Sequence, residues 1–149
     1  MKNKEAGFTL LELIIVLALI GIICGFSTLF FARGLPSARL DATARDVSSV
    51  IRHARALSSL QRENQVVIID AKDRVYGIKG RPLKAVPEGI TIEAVDPLTG
   101  QVSKDARTLR FYATGGQETG SVIVKNKDKA LRIDTDPVAG SVTVKAVGL

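Results

Sequence analysis

Gly7-Phe8-Thr9-Leu10-Leu11-Glu12-Leu13 decides how the rest of this 149-residue chain is read. It joins a short polar leader, residues 1–7 with Lys2 and Lys4, to an apolar run, residues 13–32, that holds no charged side chain. At about 1.5 Å of rise per residue such a run covers the roughly 30 Å hydrocarbon core of a bilayer, so a membrane-spanning helix is expected over it. Glu12 at its border then needs a reason. A carboxylate at the centre of a spanning helix costs about 2.5–3.5 kcal/mol, and less near the interface.

One reason is local. Thr9-x-x-Glu12 has the spacing of a capping box, Phe8 and Leu13 stand where a hydrophobic staple places its two members, and an acidic group in the first turn meets the positive end of the helix dipole. A second reading, a secretory signal peptide, fits poorly. Such peptides have a shorter apolar region followed by a small-residue cleavage site, whereas Arg33-Gly-Leu-Pro-Ser-Ala38 follows this long run.

The third reading uses both flanks of the stretch. Lys2 and Lys4 in the leader, Gly7 at its end, Phe8 next and Glu12 as the fifth residue onward together resemble the type III signal of the type IV pilin and pseudopilin superfamily. The resemblance implies cleavage between Gly7 and Phe8 by a prepilin peptidase, N-methylation of Phe8, and an assembly role for Glu12. The spacing makes chemical sense, because cutting after Gly7 creates an ammonium at Phe8, four residues from Glu12 and about one helical turn away. In the family this carboxylate is thought to meet the terminal amine of a neighbouring subunit, so that two groups costly in lipid neutralise one another on assembly.

Composition narrows the remaining choices. The net charge of +6 raises nucleic acid or an acidic surface as a partner. Lys and Arg are interleaved with Asp and Glu over the polar part, however, and aromatics are too few for a stacking surface, so specific nucleic-acid binding is not expected. The one cysteine, Cys24, lies in the apolar run and can form no intrachain disulfide, which also removes zinc-finger spacings.

After the apolar run, Gly34 and Pro36 predict a kink or break around residues 33–37. A second helical stretch is expected beyond it. Leu40, Ala44, Val47, Ile51, Ala54 and Leu57 recur at three- and four-residue intervals, with Arg39, Asp41, Arg45, Asp46 and Arg52 largely on the other face. From residue 63 the period changes, and strands are expected at 65–70, 74–79, 90–95, 107–113, 121–125, 130–134 and 141–145, with turn residues between them. The predicted class is α+β: a long N-terminal helix, membrane-spanning in its first half and amphipathic in its second, packed on an antiparallel sheet or β-sandwich.

Four divisions follow: a cleaved leader at 1–7, a transmembrane helix at 8–32, an amphipathic helix at 33–62 and a β domain at 63–149. Asp96-Pro-Leu-Thr-Gly100 and Asp136-Pro-Val-Ala-Gly140 echo one another, most simply as two similar turns. Asp134 with Asp136 lacks the wider oxygen set that calcium requires. The glycines of Thr114-Gly-Gly-Gln-Glu-Thr-Gly120 lie between two strands and so disfavour a phosphate-cradling loop, which precedes a helix. His53 is the only histidine, no catalytic constellation emerges, and neither an enzyme nor a cofactor is expected.

Two further stretches sharpen the resemblance. His53-Ala-Arg-Ala-Leu-Ser-Ser-Leu-Gln-Arg-Glu-Asn-Gln-Val-Val-Ile-Ile69 resembles the helix-to-strand passage of the GspH/FimT group, with its Ala-Arg pair and second basic residue. Residues 131–144 resemble that group's final hairpin. What this implies is a minor pseudopilin in the hetero-oligomeric pseudopilus of a type II secretion system, or alternatively a minor pilin of a type IV pilus used in adhesion, motility or DNA uptake. The implied location is the bacterial inner membrane, single-pass and in contact with its lipid, with the C-terminal domain in the periplasm. Charge counting alone points the other way, because Arg33, Arg39 and Arg45 outnumber Lys2 and Lys4.

Overall fold

The computed structural model describes residues 8–148 apart from 97, 98, 104 and 138, and the side chains of 26–34 also lie outside the described residues. Gly7 and the rest of the leader fall outside them too. The chain divides into two compact units, Met1–Leu35 and Pro36–Leu149.

The element α1 (Leu10–Gln61) contributes residues to both units. In the first unit its described side chains other than Glu12 are overwhelmingly apolar and exposed all round, with large apolar ones from Val16 at 44 % to Leu10 at 77 %. Among the described residues no helix is long and apolar enough to cross a membrane. The span expected over 13–32 extends into residues whose side chains are not described.

Of the kink or break expected around residues 33–37, no break interrupts the helix, which carries Pro36 inside it. Proline removes one backbone donor and crowds the carbonyl four residues back, but the hydrogen bonds before and after that turn remain. In the second unit Leu40, Ala44, Val47, Ile51 and Ala54 are buried, as their spacing predicts, and Leu57 is half-buried against the same core. Thr43 and Ser48 share the buried stripe because their hydroxyls donate to helix carbonyls, at 2.9 Å to Arg39 and 2.8 Å to Ala44. A buried hydroxyl without such a partner would be destabilising. The helix ends where Arg62 turns left-handed, with φ 54°.

Nine strands follow among the described residues: β1 (Gln65–Asp70), β2 (Val75–Ile78), β3 (Lys84–Ala85), β4 (Thr91–Val95), β5 (Val102–Ser103), β6 (Arg107–Phe111), β7 (Gly120–Lys125), β8 (Ala130–Thr135) and β9 (Val142–Val147). They form two antiparallel sheets, ordered β3-β2-β1-β6 and β5-β4-β7-β8-β9. The seven expected strands are present. The two extra ones, β3 and β5, are two-residue edge pairings that leave no period in the sequence.

Alternation decides which strand faces point inward. Val122 and Val124 of β7, Leu131 and Ile133 of β8, and Val67 and Ile69 of β1 are buried at every second position. With Phe111, Ile92 and the helical stripe they form one core for this unit. At about 25 cal/mol per Å² of apolar area removed from water, that shared burial is the main stabilising term.

Candidate functional site: the helix start and the polar face of the second unit

Thr9 is the N-cap of α1. Its Oγ1 accepts from the Glu12 backbone N–H at 3.2 Å, and its carbonyl accepts from Leu13 N–H at 3.2 Å. This is the forward half of the expected capping box. The return half is not made: among the described residues the Glu12 carboxylate takes part in no hydrogen bond or ion pair. Phe8 is 83 % exposed, so the staple side of the motif buries little. The cap therefore accounts for Thr9 and leaves the carboxylate of Glu12 uncommitted at the positive end of the helix.

The second unit orders the other residues that the sequence singled out. In the two echoing loops Asp96 and Asp136 play the same part. The Asp96 carbonyl accepts from Gly100 N–H at 2.9 Å and its Oδ1 from Thr99 N–H at 3.2 Å; the Asp136 carbonyl accepts from Gly140 N–H at 2.8 Å and its Oδ1 from Ala139 N–H at 3.0 Å. Gly100 and Gly140 close these turns with φ of 68° and 63°, where a side chain would be strained. The two loops share this aspartate-to-glycine closure, and Asp96 in addition accepts from Arg107 Nη2 at 2.7 Å through its Oδ2.

Asp134 is likewise engaged, with Ser121 Oγ and Arg132 Nε both 2.7 Å from its Oδ1. Burial pushes its carboxyl upward, but the bonds from Ser121 and Arg132 and the charges of Arg132 and Lys145 outweigh that and hold it below the usual range. No group of three or more His, Cys, Asp or Glu side chains able to hold a metal occurs among the described residues. The glycine segment makes the turn between β6 and β7, with Tyr112 N–H donating to the Gly116 carbonyl at 2.8 Å and Gly115 N–H to the Tyr112 carbonyl at 3.0 Å.

A polar cluster that the sequence did not reveal lies where α1 faces β2 and β3. Asp46 receives Lys84 Nζ at 2.7 and 2.8 Å and the Tyr76 hydroxyl at 2.7 Å. Burial raises the Asp46 carboxyl, yet the Lys84 and Tyr76 bonds and the Lys84 charge win, and it stays below the ordinary carboxylate range. Burial and the adjacent Asp46 acceptor push the Tyr76 phenol well above its ordinary value. These residues are 30 and 38 positions apart in sequence, so only the fold brings them together.

Residues 2–28 match the prokaryotic N-terminal methylation motif, which encloses Gly7, Phe8 and Glu12. Type II secretion system protein H of Xanthomonas campestris pv. campestris is 23 % identical over 142 residues, covering 95 % of this chain and 84 % of that protein. The fold of the minor pseudopilin EpsH from the type 2 secretion system of Vibrio cholerae superposes with a TM-score of 0.62 at 15 % identity, covering 74 % of this chain and 98 % of that one. The chain thus carries the N-terminal methylation motif and is similar in fold to the minor pseudopilin EpsH. The type IV minor pilin FimU of Pseudomonas aeruginosa shares the fold more loosely, with a TM-score of 0.51 at 16 % identity over 74 % of this chain and 94 % of that one.

In this chain the Ala54-Arg55 pair, marked in the sequence by resemblance alone, acquires a physical task. Arg55 Nη1 donates to the Ala139 carbonyl at 3.3 Å, which ties α1 to the loop between β8 and β9. His53, flanked in sequence by Ile51 and Ala54 of the buried stripe, is itself exposed and meets Arg81 Nη1 at 3.5 Å. The start of α1 thus holds the Glu12 carboxylate, without a partner among the described residues, and the second unit carries polar contacts that hold the fold.

Proposed function

We propose that this chain is a minor, structural subunit of the periplasmic pseudopilus of a type II protein secretion system, and not an enzyme. In this reading prepilin peptidase cuts between Gly7 and Phe8, Phe8 becomes the N-methylated first residue, and Glu12 is the assembly residue. Residues 8–32 anchor the chain as a single pass in the bacterial inner membrane, in contact with its lipid. Residues 33–62 continue as the amphipathic helix, and 63–149 form the β domain on the periplasmic side.

The observation that carries this reading is the state of Glu12. It stands in the first turn of a helix whose apolar side chains are exposed on all sides, and its carboxylate has no partner among the described residues. Such a helix needs another apolar environment, either lipid or the helices of other subunits. An unpartnered carboxylate beside that surface needs a cation there. The amine freed at Phe8 of a neighbouring pseudopilin supplies one, in a filament built with other pseudopilins. The relative named type II secretion system protein H supports the secretion assignment.

Mass spectrometry of the membrane-extracted protein tests the reading. An N-terminus at Phe8 carrying one methyl group is expected, whereas an intact Met1 would remove the basis for it. A second reading, a minor pilin of a type IV pilus, is favoured by the FimU fold likeness. Co-purification with secretion pseudopilins as opposed to pilus subunits separates the two.

A further inference from the structure

Between the second half of α1 and the hairpin of β2 and β3 lies a groove of about 290 Å³, lined by Ser49, Val50, His53, Gly77, Ile78, Arg81, Pro82 and Lys84. We propose that this groove binds an acidic peptide segment of a protein partner, seating one carboxylate against Arg81 and His53 and a neighbouring apolar side chain on Val50, Ile78 and Pro82. The proposal does not depend on the secretion reading, because it rests on the chemistry of the groove alone.

The charge distribution carries the argument. The lining holds an arginine, a lysine and a histidine and no acidic residue. Lys84 is already neutralised by Asp46, whose carboxylate also accepts the Tyr76 hydroxyl. Asp46 is thus spent. Arg81 has no carboxylate partner among the described residues and faces instead His53 Nε2, at 3.5 Å from its Nη1. Guanidinium has only donors, so Nε2 can act only as a weak acceptor in that contact, and most of the Arg81 fork is left for an incoming oxygen pair.

The arrangement is also prepared in advance. Arg81 N–H donates to the Ile78 carbonyl at 3.0 Å, which closes the turn that presents the side chain. Lys84 is locked to α1 through Asp46, so the far side of the hairpin is fixed to the helix that carries His53. A free inorganic anion would use Arg81 but leave the apolar floor bare. A peptide with an acidic residue beside a leucine uses both, which is why the peptide is the favoured occupant.

The test uses the full chain in detergent micelles and two synthetic peptides, acetyl-Gly-Leu-Glu-Leu-Gly-amide and its Gln counterpart, followed by the NMR resonances of the His53 ring. Saturable shifts with the Glu peptide are expected, with affinity at least roughly tenfold weaker for the Gln peptide and a similar loss in Arg81→Gln. Arg81→Lys should recover part of the binding. Because Arg81 is exposed, an unchanged melting temperature is expected to show that Arg81→Gln still folds. Equal binding of the two peptides, absence of saturable shifts, or unchanged affinity in Arg81→Gln would overturn the proposal. So would displacement of the peptide by an equal concentration of phosphate, which marks a small-anion site, or His53 shifts produced only by phosphatidylglycerol vesicles, which marks a lipid contact.

Discussion

The guanidinium of Arg55 occupies the space beside Gly140 that a Cβ would fill, so a methyl group added at Gly140 would collide with Nη1. The same side chain donates to the neighbouring Ala139 carbonyl. Gly140→Ala therefore carries two penalties: a non-glycine residue at φ 63°, costing about 1–2 kcal/mol, and expulsion of the arginine from its seat, costing about 0.5–1.5 kcal/mol in lost hydrogen bonding. The arginine end is flexible, so the second penalty disappears in Arg55→Ala. Denaturant unfolding of the single and double variants should show that Gly140→Ala costs less once Arg55 is gone.

Stability should fall at both ends of the pH scale through the Asp46 cluster. The Asp46 carboxyl is held below its ordinary value, so its contribution is complete above about pH 4 and is lost as pH falls through the folded value. The Tyr76 phenol is pushed up, so its contribution is complete below about pH 10 and is lost as pH rises beyond that. Thermal melts across pH should show a shallower acid decline in Asp46→Asn and a shallower alkaline decline in Tyr76→Phe.

Glu93 is the most enclosed charged side chain among the ion pairs, with 9 % of its side chain accessible, and Lys125 Nζ meets it at 2.8 Å. The pair crosses diagonally between β4 and β7, since Lys125 lies opposite Thr91. Lys125→Ala strands the carboxylate and is expected to cost about 1–3 kcal/mol, a range lowered by the partial exposure of the lysine. The double replacement Glu93→Leu with Lys125→Leu should regain most of that loss. Chemical denaturation of the three variants measures it.

The two residues of the helix start should separate cleanly. Thr9→Ala removes the cap and costs about 1 kcal/mol of local helix stability, yet membrane insertion and filament incorporation should persist. Glu12→Ala leaves the cap in place and should insert normally while failing to enter filaments. Fractionation followed by crosslinking to other pseudopilins checks both, and normal incorporation of Glu12→Ala would rule out its assembly role.

Where periodicity existed, the sequence was readable. Leu40 through Ala54 at helical spacing and Val122, Val124, Leu131 and Ile133 at alternate positions repeat often enough for a face to be identified before any contact is known. β3 and β5 were illegible because two paired residues make no period, and their partners define them. Of the kink or break expected around residues 33–37, the break is absent for a different reason, since one lost backbone bond weakens a turn without dictating its neighbours. At the helix start, Thr9 and Glu12 were legible as a pair, but the sequence could not separate a closed capping box from a half-closed one. The cluster of Asp46, Tyr76 and Lys84 and the Arg81 groove join distant positions, and nothing local marked them.

The two copies of the aspartate-to-glycine turn stand at opposite margins of one sheet: the first attaches β5 to β4, and the second attaches β9 to β8. Each hinge satisfies its own backbone, so neither specifies the length of the strand that follows, which is two residues in one case and six in the other. Both turns are also fastened beyond their own loop, the first by the Asp96–Arg107 pair to β6 of the other sheet and the second by Arg55 of α1 at the Ala139 carbonyl, so each border of this sheet is held to a different part of the unit.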